Sequence, residues 1–183
     1  MNTEIDIQAA ATAAAADLEI QAAGWRLMEY DNGLLRGSHG YSWPDAEVTA
    51  EHRSRDYKGT GDPVSVRPQD MEDGCESCGI YMLDTQALAL DQGTYNLWGG
   101  QKYIVEVEGW GIAIEGERGW RTEHARITRI QRVPEVGSMV LTDQPVLTAT
   151  AINQILQIQA SYRVPVEQLG LGDIRAIFGQ PRD

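Results

Sequence analysis
A chain of 183 residues with 27 acidic and 15 basic side chains carries a formal charge of −12. Nucleic-acid affinity rests on clustered Lys and Arg, so this balance argues against a phosphate-backbone binder and for a protein partner. The 42% hydrophobic content and mean hydropathy of −0.36 suit one folded core with accessories, since single cores close at about 100–150 residues.

In chain order, residues 1–23 are dominated by alanine, the best helix former, with Ile5, Ile7, Leu18 and Ile20 as a thin apolar face. They predict an N-terminal helix ending at Gly24. Its alanine run is broken by Thr12 and flanked by Glu4, Asp6 and Asp17, too polar and too light for a membrane span or a secretion signal. A cytoplasmic, reducing setting is therefore expected, because two cysteines three positions apart close only a tight loop and stabilise little as a disulfide.

Residues 24–133 are aromatic, glycine-rich and alternating, and predict a mostly β core domain. Residues 25–30 read as a strand, Asp31-Asn32-Gly33 as a tight turn, and Leu34-Leu35-Arg36 as the returning strand, since Asn-Gly accepts the positive φ angles of short hairpins. Residues 38–73 read as a long loop with a short extended piece at 64–67. Beyond the apolar run Gly79-Ile80-Tyr81-Met82, Asp84 and Thr85 are placed to cap a helix over 85–90. Residues 103–115 alternate, with Gly109 and Gly111 marking a bulge. Residues 123–133 close the sheet, with Ala125 and Ile127 in phase and Ile130 in phase again after a slip.

Residues 134–145 predict a linker. Ile152, Ile155, Leu156 and Gln159 recur at helical spacing within 148–162, and residues 166–178 read as a second helix broken near Gly170 and Gly172. The expected class is thus α+β: a small, bent antiparallel sheet with a long loop, flanked by the N-terminal helix and a C-terminal helical hairpin over 134–183.

The order Gly24-Trp25-Arg26, Leu34-Leu35-Arg36, Trp43-Pro44, Cys75-Glu76-Ser77-Cys78-Gly79-Ile80-Tyr81, Trp110-Gly111 and Gly119-Trp120-Arg121-Thr122-Glu123-His124-Ala125 resembles a family of uncharacterised small actinobacterial and bacteriophage proteins. The likeness covers residues 24–133. It implies no activity, and for a phage-encoded member it implies a host-cytoplasmic or virion location. The family carries a further cysteine after Trp-Pro, where this chain has His52. The Cys75–Cys78 spacing is one residue wider than the family's, and Trp120 and His124 stand in place of tyrosines.

Cys75, Cys78 and His52 form the strongest candidate constellation. A Cys-x-x-Cys turn eased by Gly79 can present two thiolates to a zinc ion; His52 is the third ligand, and His39, Asp56, Asp62 and Asp73 are candidates for the fourth. Two small thiols packing a turn form the simpler reading. A redox role ranks lower, because an apolar run follows the pair where a helix N-terminus is needed to lower a thiol pKa. The segment from Glu115 to His124 reads as an exposed charged turn with Trp120 packed on the sheet. The five tryptophans beside one phenylalanine are expected to fill the core.

With no recognisable nucleophile, phosphate loop or hydrolase motif, the expected role is a protein-interaction or structural accessory module. One alternative is a small-ligand-binding protein or enzyme with a site near Arg36, His39, Trp43 and His124. Another is a component of oligomer or virion assembly.

Overall fold
The computed structural model describes residues 20–37, 42–52, 64–65, 79–96, 100–134 and 147–179. Ten strands and three helices are seen among them. The strands are β1 (Ala22–Asp31), β2 (Leu34–Gly37), β3 (Ser42–Trp43), β4 (Glu47–Thr49), β5 (Glu51–His52), β6 (Val64–Ser65), β7 (Ile80–Leu83), β8 (Lys102–Gly116), β9 (Gly119–Arg132) and β10 (Val166–Gln168). The helices are α1 (Gln86–Asn96), α2 (Ala149–Tyr162) and α3 (Leu171–Gly179). The class is α+β. The sheet holds eight strands, more than the small sheet expected, with β5 and β6 paired in a separate two-stranded sheet.

Strand β9 organises the sheet. Along one edge it pairs with β8 for nearly its whole length. Along the other it takes β7 at residues 119–122, β4 at 124–126 and β10 at 130–132 in succession. On the far side of β8 lies β1, which pairs in turn with β2. Strand β7 also meets β1 at Trp25↔Leu83, so the ladder β1–β8–β9–β7 closes on itself. That closure brings backbones very close together. A Cβ on Gly24 would lie 2.7 Å from the Leu83 carbonyl, and one on Gly119 would collide with the Met82 carbonyl.

The local chemistry of the sequence accounts for most of these elements. The β1–β2 turn has φ of 49° at Asn32 and 90° at Gly33, the double-positive pair that a two-residue hairpin requires. The β8–β9 ladder shifts register between Trp110 and Ala113, at the expected glycine bulge. A second shift passes from Arg129 to Ile127, leaving Thr128 as the extra residue and bringing Ile130 back onto the core face. Thr85 Oγ1 accepts the Leu88 amide at 3.2 Å, capping α1.

Three expectations are corrected. Ala22 and Ala23 belong to β1, not to the N-terminal helix, and Gly24 lies inside that strand. Cross-strand pairing with Glu108 and Gly109 outweighs alanine's helix propensity there. Residues 1–19 lie outside the described residues, as do 135–146 of the expected linker. Residues 38–73 are not wholly loop, since β3 and β4 join the main sheet. The C-terminal helical hairpin is interrupted: Val166–Gln168 forms β10, parallel to β9 at Ile130–Arg132. Arg163 in the left-handed region (φ 56°) ends α2, and the two-pronged contact of Arg129 with Glu167 Oε2 (3.0 and 2.6 Å) anchors β10.

Both sheet faces are covered. Ala22 and Met28 of β1 with Tyr103, Val105 and Val107 of β8 enter the main core, joined by Leu35, Trp43, Ile80, Met82, Ala125, Ile127 and Ile130. Trp25, Leu27 and Ile104 point the other way, into a second cluster with Ala89 and Leu90 of α1 and Ile174 and Ile177 of α3. Between the last β1–β2 pair at Met28 and the β1–β7 pair at Trp25, the strand edge splits. Arg26 bridges this seam. Its guanidinium donates to the Tyr81 carbonyl and lies 5.6 Å from the Trp43 ring centre. Burial lowers its pKa to about 10, so it stays charged at neutral pH.

Helix α2 closes the main core with Ile158 and Tyr162, both buried. The Tyr162 hydroxyl accepts the Leu35 amide at 2.7 Å and donates to the Trp43 carbonyl at 2.5 Å. Leu35 and Trp43 are register partners across β2 and β3. One phenol therefore splices the hairpin edge to the end of the helix.

Burial raises the pKa of Tyr162, and pushes that of Tyr103 up to about 12. The unfolded phenols ionise near 10, so folding keeps the neutral form. Its contribution is intact below pH 10 and is lost as pH climbs toward 12. Chemical denaturation across this range should show stability falling above pH 10. In Tyr162→Phe the alkaline loss should shrink, while stability at neutral pH falls by about 1–3 kcal/mol because a buried amide and carbonyl lose their partner. Unchanged neutral-pH stability would contradict the splice.

Candidate functional site
Helix α2 begins where Thr148 Oγ1 accepts the Ala151 amide at 3.2 Å. Not one residue of its sequence, ATAINQILQIQASY, is charged, although Asp, Glu, Lys and Arg make up 23% of the chain. At about 100° per residue, its buried residues Ala151, Ile158 and Tyr162 form one narrow stripe. The apolar spacing expected to face the core therefore falls elsewhere. Ile152 and Leu156 turn roughly a quarter to two-fifths of a revolution away from that stripe and are 45% and 57% exposed. Exposed Ala149 and Ala160 lie on the same outer side.

Beside this face an open groove of about 560 Å³ runs between α2 and the β1–β2 turn, lined by Tyr30, Asn32, Gly33, Gln157, Ala160 and Ser161. The Tyr30 hydroxyl donates to Gln157 Oε1 across it. The floor is polar but uncharged, with small side chains at the rim. Helix face and groove together offer a continuous uncharged surface.

A second cluster sits where β4 meets the β8–β9 bulge. The His124 ring stacks on Trp110 at 5.6 Å between centres and 22° between planes. Its Nδ1 lies 3.0 Å from Thr49 Oγ1. Its Nε2 is 3.7 Å from Glu123 Oε1, beyond hydrogen-bond reach. The other Glu123 oxygen accepts the Ile112 amide at 3.2 Å. The hydroxyl, imidazole and carboxylate are in sequence, but the carboxylate is engaged in holding the bulge. The arrangement is that of a strap over an irregular ladder.

The residues considered for a ligand site have separate partners. Arg36 is exposed, pairs with Asp31 at 2.8 Å, and its Nε reaches Ser42 Oγ at 3.3 Å. Trp43 is fully buried, packed against Arg26 and the core. His124 belongs to the bulge cluster, and His39 lies outside the described residues. Glu115, Glu117 and Arg118 form the exposed turn expected of them, and Trp120 packs against the main core.

For the expected zinc ligands, the His52 backbone pairs with Val64 in β5–β6; its side chain, Cys75, Cys78 and the fourth-ligand candidates Asp56, Asp62 and Asp73 lie outside the described residues. Among the described residues no group of three or more His, Cys, Asp or Glu is placed to hold a metal ion. No helix among them is long and apolar enough to cross a membrane.

Two features were missed in the sequence, the Tyr162 splice and the Arg26 seam. The first had no local signal, since a tyrosine at the end of an amphipathic helix looks like any other. The exposed α2 face did have one: fourteen residues without a charge in an acidic chain. No family model, curated protein or solved structure matches the chain.

Proposed function
We propose that the chain is a protein-interaction module that docks a partner through the outer face of α2. The observation that carries this reading is an uncharged helix exposing Ile152 and Leu156. Interface cores are distinguished by depletion of charge, and a solvated helix face in an acidic protein would ordinarily carry several charges. The remaining acidic surface serves solubility. The enzyme alternative draws less support, because Trp43 is enclosed and Arg36 and His124 have different partners.

The test is a comparative capture from extract of cells expressing the protein. Wild type and Arg118→Ala, altered in the exposed hairpin turn, should retain the same partner; Leu156→Asp should retain about tenfold less, since a carboxylate would have to be desolvated in the contact. Identical capture by all three would reject the α2 face.

Zinc held by Cys75, Cys78 and His52 is a second proposal. It is favoured by the β5–β6 ladder, whose two-residue strands form a sheet apart from the main one. So small a ladder is marginal in water without a staple, and His52 lies in it. Elemental analysis of native protein should find one zinc per chain, lost in Cys75→Ser. Metal-free, fully folded protein would reduce the Cys-x-x-Cys turn to packing.

A further inference from the structure
We infer that the partner seated on α2 is a second copy of this chain, the two helices crossing antiparallel about a two-fold axis. The inference rests on the reading of α2 as a docking face and specifies its occupant by charge. A basic partner would be met by acidic side chains, and α2 has none. Two copies each carrying −12 repel wherever charged surfaces approach. They come together at least cost where neither presents a charge, and among the described helices only α2 is wholly uncharged: α1 contains Asp91, and α3 contains Asp173 and Arg175.

The face is also complementary to itself. In an isologous contact, if residue i meets residue j then j meets i. An antiparallel crossing centred near Gln154 sets Ile152 of one copy against Leu156 of the other, and the reverse. The same crossing brings Ala149 near Ala160, so small residues meet at the ends and let the backbones approach to the usual separation of about 8–10 Å. A helix of 14 residues is only about 21 Å long. The contact therefore falls below the size of a standard stable interface, and the dimer is a weak, concentration-dependent one.

Salt separates this from the rival occupant. Raising ionic strength shortens the Debye length from about 30 Å at 0.01 M to about 8 Å at 0.15 M. Screening weakens an acidic–basic pair but strengthens association of two like-charged copies. Sedimentation equilibrium of the full chain, over a range of concentrations at low and physiological salt, should show a monomer–dimer equilibrium whose Kd falls several-fold as salt rises.

Leu156→Asp should raise that Kd by about tenfold or more with an unchanged Tm, while Arg118→Ala matches wild type. A monomer under all conditions, a dimer indifferent to Leu156→Asp, or one weakened by salt would each overturn the inference. So would a monomer whose Tm falls in Leu156→Asp, which would mean that the chain covers the face itself. Should wild type stay monomeric yet lose a different captured protein on Leu156→Asp, the docking reading stands and only the second copy is excluded. Should both effects be missing, both fall.

Discussion

The Tyr162 hydroxyl fixes how α2 sits, and the way α2 sits determines what surface the protein shows. It receives the Leu35 amide and gives its proton to the Trp43 carbonyl, so both groups are satisfied at a buried strand edge where water cannot reach them. A buried amide or carbonyl left unpaired costs about 1–3 kcal/mol. Rotating α2 about its axis would orphan both groups at once and withdraw Ile158 and Tyr162 from the core. With that register set, Ile152 and Leu156 face outward.

The rest of the fold supplies the edge that Tyr162 grips. The long hairpin β8–β9 is the trunk, and the short strands β7, β4 and β10 fill the free side of β9. Closure through β7 leaves a split between β2 and β7 on the edge of β1. Arg26 fills it with a guanidinium hydrogen bond and an aromatic contact to Trp43, so Trp43 is held on one side by Arg26 and at its carbonyl by Tyr162. Buried charges without a carboxylate partner are costly; this one is lowered in pKa by burial alone, and it is retained at the one place where the ladder needs a donor.

Much of the sheet was legible because its signals are local. Asn32-Gly33 specifies its turn through φ, Gly111 permits the bulge, Thr85 caps α1, and the slip between Ile127 and Ile130 is visible as a break in alternation. The readings that failed depended on distant partners. Ala22 and Ala23 look helical by propensity but are recruited by β8, and Val166–Gln168 looks helical by continuity but completes the edge of β9. In α2 the periodicity correctly indicated a helix, but both of its flanks offer apolar residues. Ala151, Ile158 and Tyr162 make the thinner stripe, and they are the ones that fit the core because Tyr162 has hydrogen-bond partners waiting there. Of the functional residues, the exposed helix face was present in the sequence as missing charge, whereas the splice that aims it was not visible until β2 and β3 were in place.

The central claim is that the Tyr162 hydroxyl, not apolar packing alone, sets the orientation of α2. Residue-resolved amide hydrogen exchange tests it most directly, by comparing wild type with Tyr162→Phe, which keeps the ring and removes the oxygen. The account predicts that the Leu35 amide is strongly protected in wild type and exchanges much faster in the variant, while amides of the β8–β9 trunk keep their protection. Equal protection of Leu35 in the two proteins would contradict it.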